Sequence, residues 1–224
     1  METTILVLEI LGTIAFTISG AIAAIDSDMD LLGILILGLT VAVGGGIIRD
    51  VTLDIVPPNA FTNPTYITVS LITTFVLLAG LLLWRKQFGL AKYINTKLLL
   101  KAINISDAIG LGAFTVIGVN VAIQAGHGDN LILTIFVGML TGVGGGVLRD
   151  VFTQTKPYIF TKHIYGLASM IGATVYFFLY ARIDHNIALI ASAGLIVLIR
   201  YISAKYKLSL PRFHINGSQG ERKH

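Results

Sequence analysis

The chain consists of long apolar runs separated by short polar segments. Seven runs cover residues 4–25, 31–53, 63–84, 101–125, 130–152, 162–182 and 186–205. A helix needs about 20 apolar residues to cross the roughly 30 Å hydrocarbon core of a bilayer. The runs do not alternate between apolar and polar positions, as the strands of a transmembrane barrel do. The pattern predicts an all-α integral membrane protein with seven transmembrane helices.

Composition supports this class and excludes others. Of the 224 residues, 54% are hydrophobic and 12% charged, which leaves too little polar surface for a water-soluble fold. Cysteine is absent and the five histidines have no ligand spacing, so no disulfide, metal site or cofactor is predicted. The net charge of +4 comes from residues flanking the runs, which argues against nucleic acid as a partner. No catalytic set is evident, and we do not expect an enzyme.

Basic residues outside the runs fall almost entirely on one face of the predicted bundle. Seven spans place the two termini on opposite sides, so each connection can be assigned to a face. One face has essentially Arg182, and the other contains the basic connection 85–100, Lys156 and the polar C-terminal tail 206–224. By the positive-inside rule, the N-terminus is outside and the C-terminus cytoplasmic, in an inner (plasma) membrane.

The first six spans form an internal repeat. VAVGGGIIRDV at 41–51 aligns with TGVGGGVLRDV at 141–151, and ILGTIAFTISGAIAA at 10–24 aligns with AIGLGAFTVIGVNVA at 108–122. The predicted units are 1–84 and 101–182, with 183–205 as an accessory seventh helix. Because each unit has three spans, an odd number, the second unit enters the membrane from the opposite side. Such inverted repeats are typical of channels and transporters.

Each repeat carries a glycine triplet inside a span. The triplets are Gly44, Gly45, Gly46 and Gly144, Gly145, Gly146. Glycine lowers the resistance of a helix to opening, and a broken helix in a membrane must be buried in protein or line water. Glycine also allows two helices to pack closely. We favour the first interpretation, in which the triplets kink their helices and line a pathway.

An Arg-Asp pair follows each triplet, Arg49-Asp50 and Arg149-Asp150. A charge within a membrane helix costs about 2.5–3.5 kcal/mol on insertion scales, so such residues are usually paired or face water. Sequence neighbours point about 100° apart on a helix, so acids from other spans are better partners for the arginines.

Two further acids match each other in the repeat alignment. Glu9 falls opposite Asp107, and both are candidate partners of the arginines. The alternative, that the Arg-Asp pairs extend to the membrane interface from span ends, is equally open. In an inverted arrangement, one pair lies toward the outer side and the other toward the inner side.

Two lysines near the basic connection, Lys97 and Lys101, lie one helical turn apart. They are candidates for contact with anionic lipid headgroups. The more favoured alternative is that they only set the topology.

The duplicated GAFTxxG-type segment followed by GVGGGxxRD, in a seven-span chain, resembles the prokaryotic trimeric intracellular cation (TRIC) channel family. The resemblance implies a homotrimer with one pore per protomer, potassium as the main permeant ion, and a pore lined by the second and fifth spans. These spans would kink at the triplets, and the charged pairs would shape a constriction or gate. Bacterial sequences of this kind are also similar to those described as a "glycine transporter" domain. A secondary transporter for a small zwitterion such as glycine therefore stays open.

Overall fold

The computed structural model describes residues 2–88, 96–161, 164–206 and 208. The middle of the basic connection and most of the polar tail lie outside the described residues, as does the side chain of Lys97. Regular structure in the described part is entirely helical. The α-helices are α1 Glu2–Asp26, α2 Leu31–Thr52, α3 Asn59–Thr62, α4 Thr65–Phe88, α5 Thr96–Ala122, α6 Leu131–Phe152, α7 Tyr158–Thr161, α8 Tyr165–Tyr180 and α9 His185–Tyr206, and a short π-helix, Ile123–His127, continues from α5.

Seven of these helices correspond to the seven predicted spans. Six are long and apolar enough to cross a membrane, and α8 is a shorter apolar helix of 16 residues, roughly 24 Å long. The all-helical membrane fold is therefore confirmed. The one-turn helices α3 and α7 were not predicted, because four residues are too few to produce a periodic pattern. They follow Pro58 and Pro157, and they delay the start of α4 and α8 relative to the predicted spans.

The two halves use the same local devices to begin and end their helices. The side chains of Asp30 and Asn130 accept hydrogen bonds from the backbone N–H groups of Gly33 and Leu133, at 2.7 and 3.1 Å, and so cap α2 and α6. Just after these helices, Asp54 and Gln154 adopt left-handed conformations with φ of 58° and 55°. The repeat thus extends from sequence to backbone geometry.

Contacts between the halves are reciprocal. Phe16 packs on Gly110, Phe114 packs on Gly12, and the two rings stack with centroids 5.3 Å apart. When each copy offers the same surface to the other in this way, the two are related by a two-fold axis. Helices α1, α2, α5 and α6 form the centre of the bundle, with α4 and α8 packed outside them. Helix α9 packs on α5 and α8 in the second half.

The glycine triplets lie where α2 crosses α6. The backbone at the triplets differs from the one predicted. Both helices run uninterrupted through their triplets, so the expected break in the backbone is not present. A Cβ on Gly45 would collide with the carbonyl oxygen of Thr141, and one on Gly145 with that of Val41. A Cβ on Gly144 would approach Cα of Gly45 to 3.0 Å. Because glycine has no side chain, the backbones of the two helices can approach closely here. The triplets therefore serve helix packing, the alternative interpretation of the sequence.

Candidate functional site

The first charged pair is buried at the end of α2. Only 6% of Arg49 and 1% of Asp50 is exposed. Arg49 donates from Nε to Oδ1 of Asp50 at 2.8 Å, and its Nη2 lies 2.7 Å from the same oxygen. Oδ2 of Asp50 accepts the backbone N–H of Asn59 at 2.8 Å, which ties the start of α3 to the pair. The arginine thus pairs with its sequence neighbour, contrary to the expectation that neighbours point apart.

The second pair has the same core and additional partners. Arg149 donates from Nε to Oδ1 of Asp150 at 2.9 Å, and Oδ2 of Asp150 accepts the backbone N–H of Tyr158 at 2.7 Å. Nη1 of Arg149 also donates to Asp107 and to the hydroxyl of Ser19, both at 2.6 Å. The Tyr158 ring centroid lies 4.6 Å from the guanidinium carbon. Ser19 belongs to the first repeat, so this network joins the two halves.

The two candidate acidic partners behave differently. Asp107 forms an ion pair with Arg149. Glu9 instead accepts a hydrogen bond from the hydroxyl of Tyr66, at 2.7 Å. Tyr165, the counterpart of Tyr66, donates to Oδ1 of Asp107 at 3.3 Å. Sequence reasoning missed both tyrosines. Both tyrosines stand near the start of a span, at matched positions of the repeat, and this match could have identified them.

A cavity of about 120 Å³ lies beside the first pair. Residues of α1, α2, α3 and α4 line most of it, and Phe114 and Val121 of α5 complete the wall from the second repeat. Its polar wall has two carboxylates, Glu9 and Asp50, and one guanidinium, Arg49. The space can therefore hold a small polar or charged species, with one formal negative charge in excess.

Among the described residues, the corresponding cluster of the second half is more enclosed, since Asp107 is fully buried whereas Glu9 is partly exposed. Arg149, Asp107 and Asp150 are each at most 2% exposed. The difference begins at one position of the repeat, because Asn59 lines the cavity whereas its counterpart Tyr158 covers Arg149 with its ring. Within the described residues, the two ends of the site therefore differ, because an open cavity is described beside Arg49 and the Arg149 cluster is more enclosed.

The third glycines of the triplets have different surroundings. A Cβ on Gly146 would lie 2.6 Å from the hydroxyl of Tyr165 and 3.2 Å from Oδ1 of Asp107, so this glycine makes room for their hydrogen bond. Gly46 lines the cavity, and the nearest atom to its Cβ would be Nη2 of Arg49, at 3.9 Å. Lys101 is exposed, away from these clusters, and its contact with lipid stays a prediction.

The comparison with known protein families also detects the internal repeat. The model of a family described as "Glycine transporter" matches this chain twice, over residues 6–81 and 104–181. The UPF0126 inner membrane protein YadS of Escherichia coli is 35% identical over 211 residues, which cover 93% of this chain and 96% of YadS. The UPF0126 membrane protein YvgT of Bacillus subtilis is 33% identical over 172 residues, covering 75% of this chain and 77% of YvgT.

Solved structures with the same fold are TRIC channels. A prokaryotic TRIC channel crystallised in 0.5 M KCl superposes with a TM-score of 0.82 at 31% identity, covering 94% of this chain and 100% of that one. The TRIC orthologue from Rhodobacter sphaeroides gives 0.78 at 28% identity, covering 92% and 100%. A structure solved in a study of conductance through TRIC cation channels gives 0.77 at 34% identity, covering 95% and 98%. The chain therefore belongs to the glycine transporter family of membrane proteins, the family of the prokaryotic TRIC channels.

Proposed function

We propose that this protein is a potassium-permeable cation channel, a homotrimer in which each protomer has its own pore between α2 and α6. The observation that carries the proposal is the cavity beside Arg49 and Asp50, whose carboxylates outnumber its guanidinium by one. A site with excess negative charge concentrates cations. The similarity to TRIC cation channels along nearly the whole chain supports the same function.

The pathway begins at the cavity and is closed beyond it. A cation in the cavity meets Glu9 and Asp50, while the charge of Arg49 is offset by its ion pair with Asp50. Beyond the cavity, α2 and α6 touch at Gly45 and Gly145, and the Arg149 network closes the second half. On this proposal, the conformation corresponds to a closed state with the cavity at one end of the pathway.

Opening requires α2 and α6 to separate. The carbonyl oxygens of Val41 and Thr141 face the crossing and are covered by Gly145 and Gly45. Separation of the helices would turn these oxygens toward the path, where carbonyls can replace part of the hydration shell of potassium. The triplets would then act in conduction through movement of whole helices, without a break in either one.

The proposed membrane orientation follows from charge. The N-terminus is outside, the chain crosses an inner (plasma) membrane seven times, and the C-terminus is cytoplasmic. The cavity then opens toward the outer side, and the Arg149 network lies at the cytoplasmic side. Potassium ions, membrane lipids and two further copies of the chain are the proposed partners.

A transporter for a small zwitterion such as glycine is the second candidate. The observation that favours it is the presence of both charge signs in one cavity, where Arg49 could bind a carboxylate and Glu9 an ammonium group. A site open at one end and closed at the other also fits alternating access.

Flux through the purified protein in lipid bilayers distinguishes these candidates. We expect unitary currents that reverse at the potassium equilibrium potential, and no accumulation of labelled glycine in vesicles. Saturable glycine uptake coupled to an ion gradient, without unitary currents, would replace the channel with the transporter. Protein-free bilayers serve as the control.

A further inference from the structure

A third buried arginine lies next to the closed end of the site. Arg200 belongs to α9, which lies outside the duplicated units, and only 5% of it is exposed. Its guanidinium carbon lies 4.6 Å from the centroid of the Tyr165 ring. A cation within a membrane span is costly unless its surroundings compensate, and the face of an aromatic ring is one such surrounding.

Arg200 connects to the Arg149 network through Tyr165. The Tyr165 ring is 2% exposed, and its hydroxyl donates to Oδ1 of Asp107 at 3.3 Å. That same oxygen accepts the 2.6 Å hydrogen bond from Nη1 of Arg149. A continuous series of contacts therefore runs from α9 through α8 and α5 to α6.

The first half shows what the site looks like without this contact. Tyr66 donates to Glu9 as Tyr165 does to Asp107, but α9 packs on the second half, against α5 and α8. Tyr66 and Glu9 line the cavity, whereas Tyr165 and Asp107 are enclosed.

We propose that Arg200 is a positioning residue through which α9 holds the closed end of the pathway shut. The guanidinium fixes the Tyr165 ring by a cation–π contact, the ring holds its hydroxyl at Asp107, and Asp107 keeps Arg149 in place. A desolvated cation–π contact of this kind shifts an equilibrium by roughly 2- to 30-fold. The inference rests on the proposed function only in taking the Arg149 network as the end of an ion pathway.

Single-channel recording gives the first test. We expect Arg200→Gln to raise the ratio of open to closed time by roughly 2- to 30-fold with unitary conductance unchanged. Arg200→Lys keeps the charge without a planar group to stack, so its effect is smaller. Lys205→Gln, which removes an exposed cation from the same helix, is the matched control and should behave as wild type.

A double-mutant cycle tests the route through Tyr165. Tyr165→Phe retains the ring beneath Arg200 and removes the hydroxyl that reaches Asp107. If Arg200 acts through that hydroxyl, Arg200→Gln adds little to the effect of Tyr165→Phe. Fully additive effects of the two substitutions would overturn the route through the Tyr165 hydroxyl. If Arg200→Gln does not fold, the same cycle can be measured with Arg200→Lys.

Chemical labelling provides a readout that needs no current. The chain contains no cysteine, so Ser19→Cys introduces a unique thiol beneath Arg149. We expect a membrane-impermeant thiol reagent to label this cysteine slowly in the otherwise native chain, and roughly 2- to 30-fold faster with Arg200→Gln or Arg200→Lys. Faster labelling without potassium currents in the native protein would support the positioning role and reject the channel. Currents in the native protein, with Arg200 variants identical to Lys205→Gln in both assays, would reject the positioning role alone.

Discussion

The two Arg-Asp pairs have the same sequence and different surroundings. Repetition and the cost of buried charge predicted the two pairs and two further acids as candidate site residues, with an interface position of the pairs as an equally open alternative. The partners were not predictable, because they depend on side-chain reach. Asp107 contacts Arg149, whereas Glu9, one methylene longer and at the matched position, accepts a hydrogen bond from Tyr66. Contacts made across helices are set by packing, which a single sequence does not encode locally.

Removal of the two arginines should therefore have unequal effects on stability. Arg149→Ala leaves Asp107 and Asp150 buried without their ion-pair partner, which costs about 3–5 kcal/mol in comparable buried pairs. Arg49→Ala exposes Asp50 to a cavity that water can enter, so a smaller loss follows. Thermal unfolding of the purified proteins in the same detergent measures the difference. Equal losses would contradict the described difference between the halves.

The third glycines of the two triplets, Gly46 and Gly146, allow a second comparison between the halves. Gly146→Ala places a Cβ against the hydroxyl of Tyr165, and overpacking of this kind typically costs about 1–3 kcal/mol. Gly46→Ala meets no atom closer than 3.9 Å and should be nearly neutral. Unfolding midpoints of the two variants test this, with Gly80→Ala as a control at a position with open space. A larger loss for Gly46→Ala would be inconsistent with the structure.

At the scale of elements, the triplets and the short helices were the hardest to predict. The sequence located the triplets correctly, but a glycine run in a membrane helix permits both a break and a close crossing. The choice is made by the partner helix, since Gly45 and Gly145 face each other's repeat across a backbone-to-backbone contact. Helices α3 and α7 have no periodic signal, and their positions are set by hydrogen bonds to Asp50 and Asp150.

Asn59 and Tyr158 are the first residues of α3 and α7, and exchanging their side chains should fill the cavity beside Arg49 and uncover Arg149. Tyr158→Asn removes the ring that covers Arg149, and we expect faster labelling of the Ser19→Cys thiol. Asn59→Tyr places a ring in the cavity beside Arg49, and we expect a several-fold lower unitary potassium conductance. Labelling and conductance unchanged in both variants would remove these positions from the pathway. Asn63→Ser, a small change elsewhere on the cavity wall, is the control for Asn59→Tyr.

For the whole molecule, the sequence predicted seven apolar helices, of which six are long and α8 is shorter, from the lengths of the apolar runs, and the duplication from the aligned motifs. The two-fold relation became visible only in paired contacts such as Phe16 on Gly110 and Phe114 on Gly12. The accessibility of one half alone was not predictable. It depends on Tyr158 in place of Asn59 and on α9, whose buried Arg200 gives no repeat signal.

The inverted orientation of the repeats leads to a direct test with two single cysteines. Val56 and Lys156 lie at matched points of the two repeats, each just before a proline, and both are exposed. In an inverted arrangement Val56→Cys faces outside and Lys156→Cys faces the cytoplasm. An impermeant maleimide added to intact cells should label Val56→Cys alone, and both variants after permeabilisation.

Each cysteine is unique because the native chain has none, so the unmodified protein is a blank for both conditions. Labelling of both variants in intact cells would mean that the two repeats enter the membrane in the same direction. Labelling of Lys156→Cys alone would keep the inversion but reverse the whole topology. In that case the accessible cavity would face the cytoplasm, and the Arg149 network, with Arg200 behind it, would close the outer end.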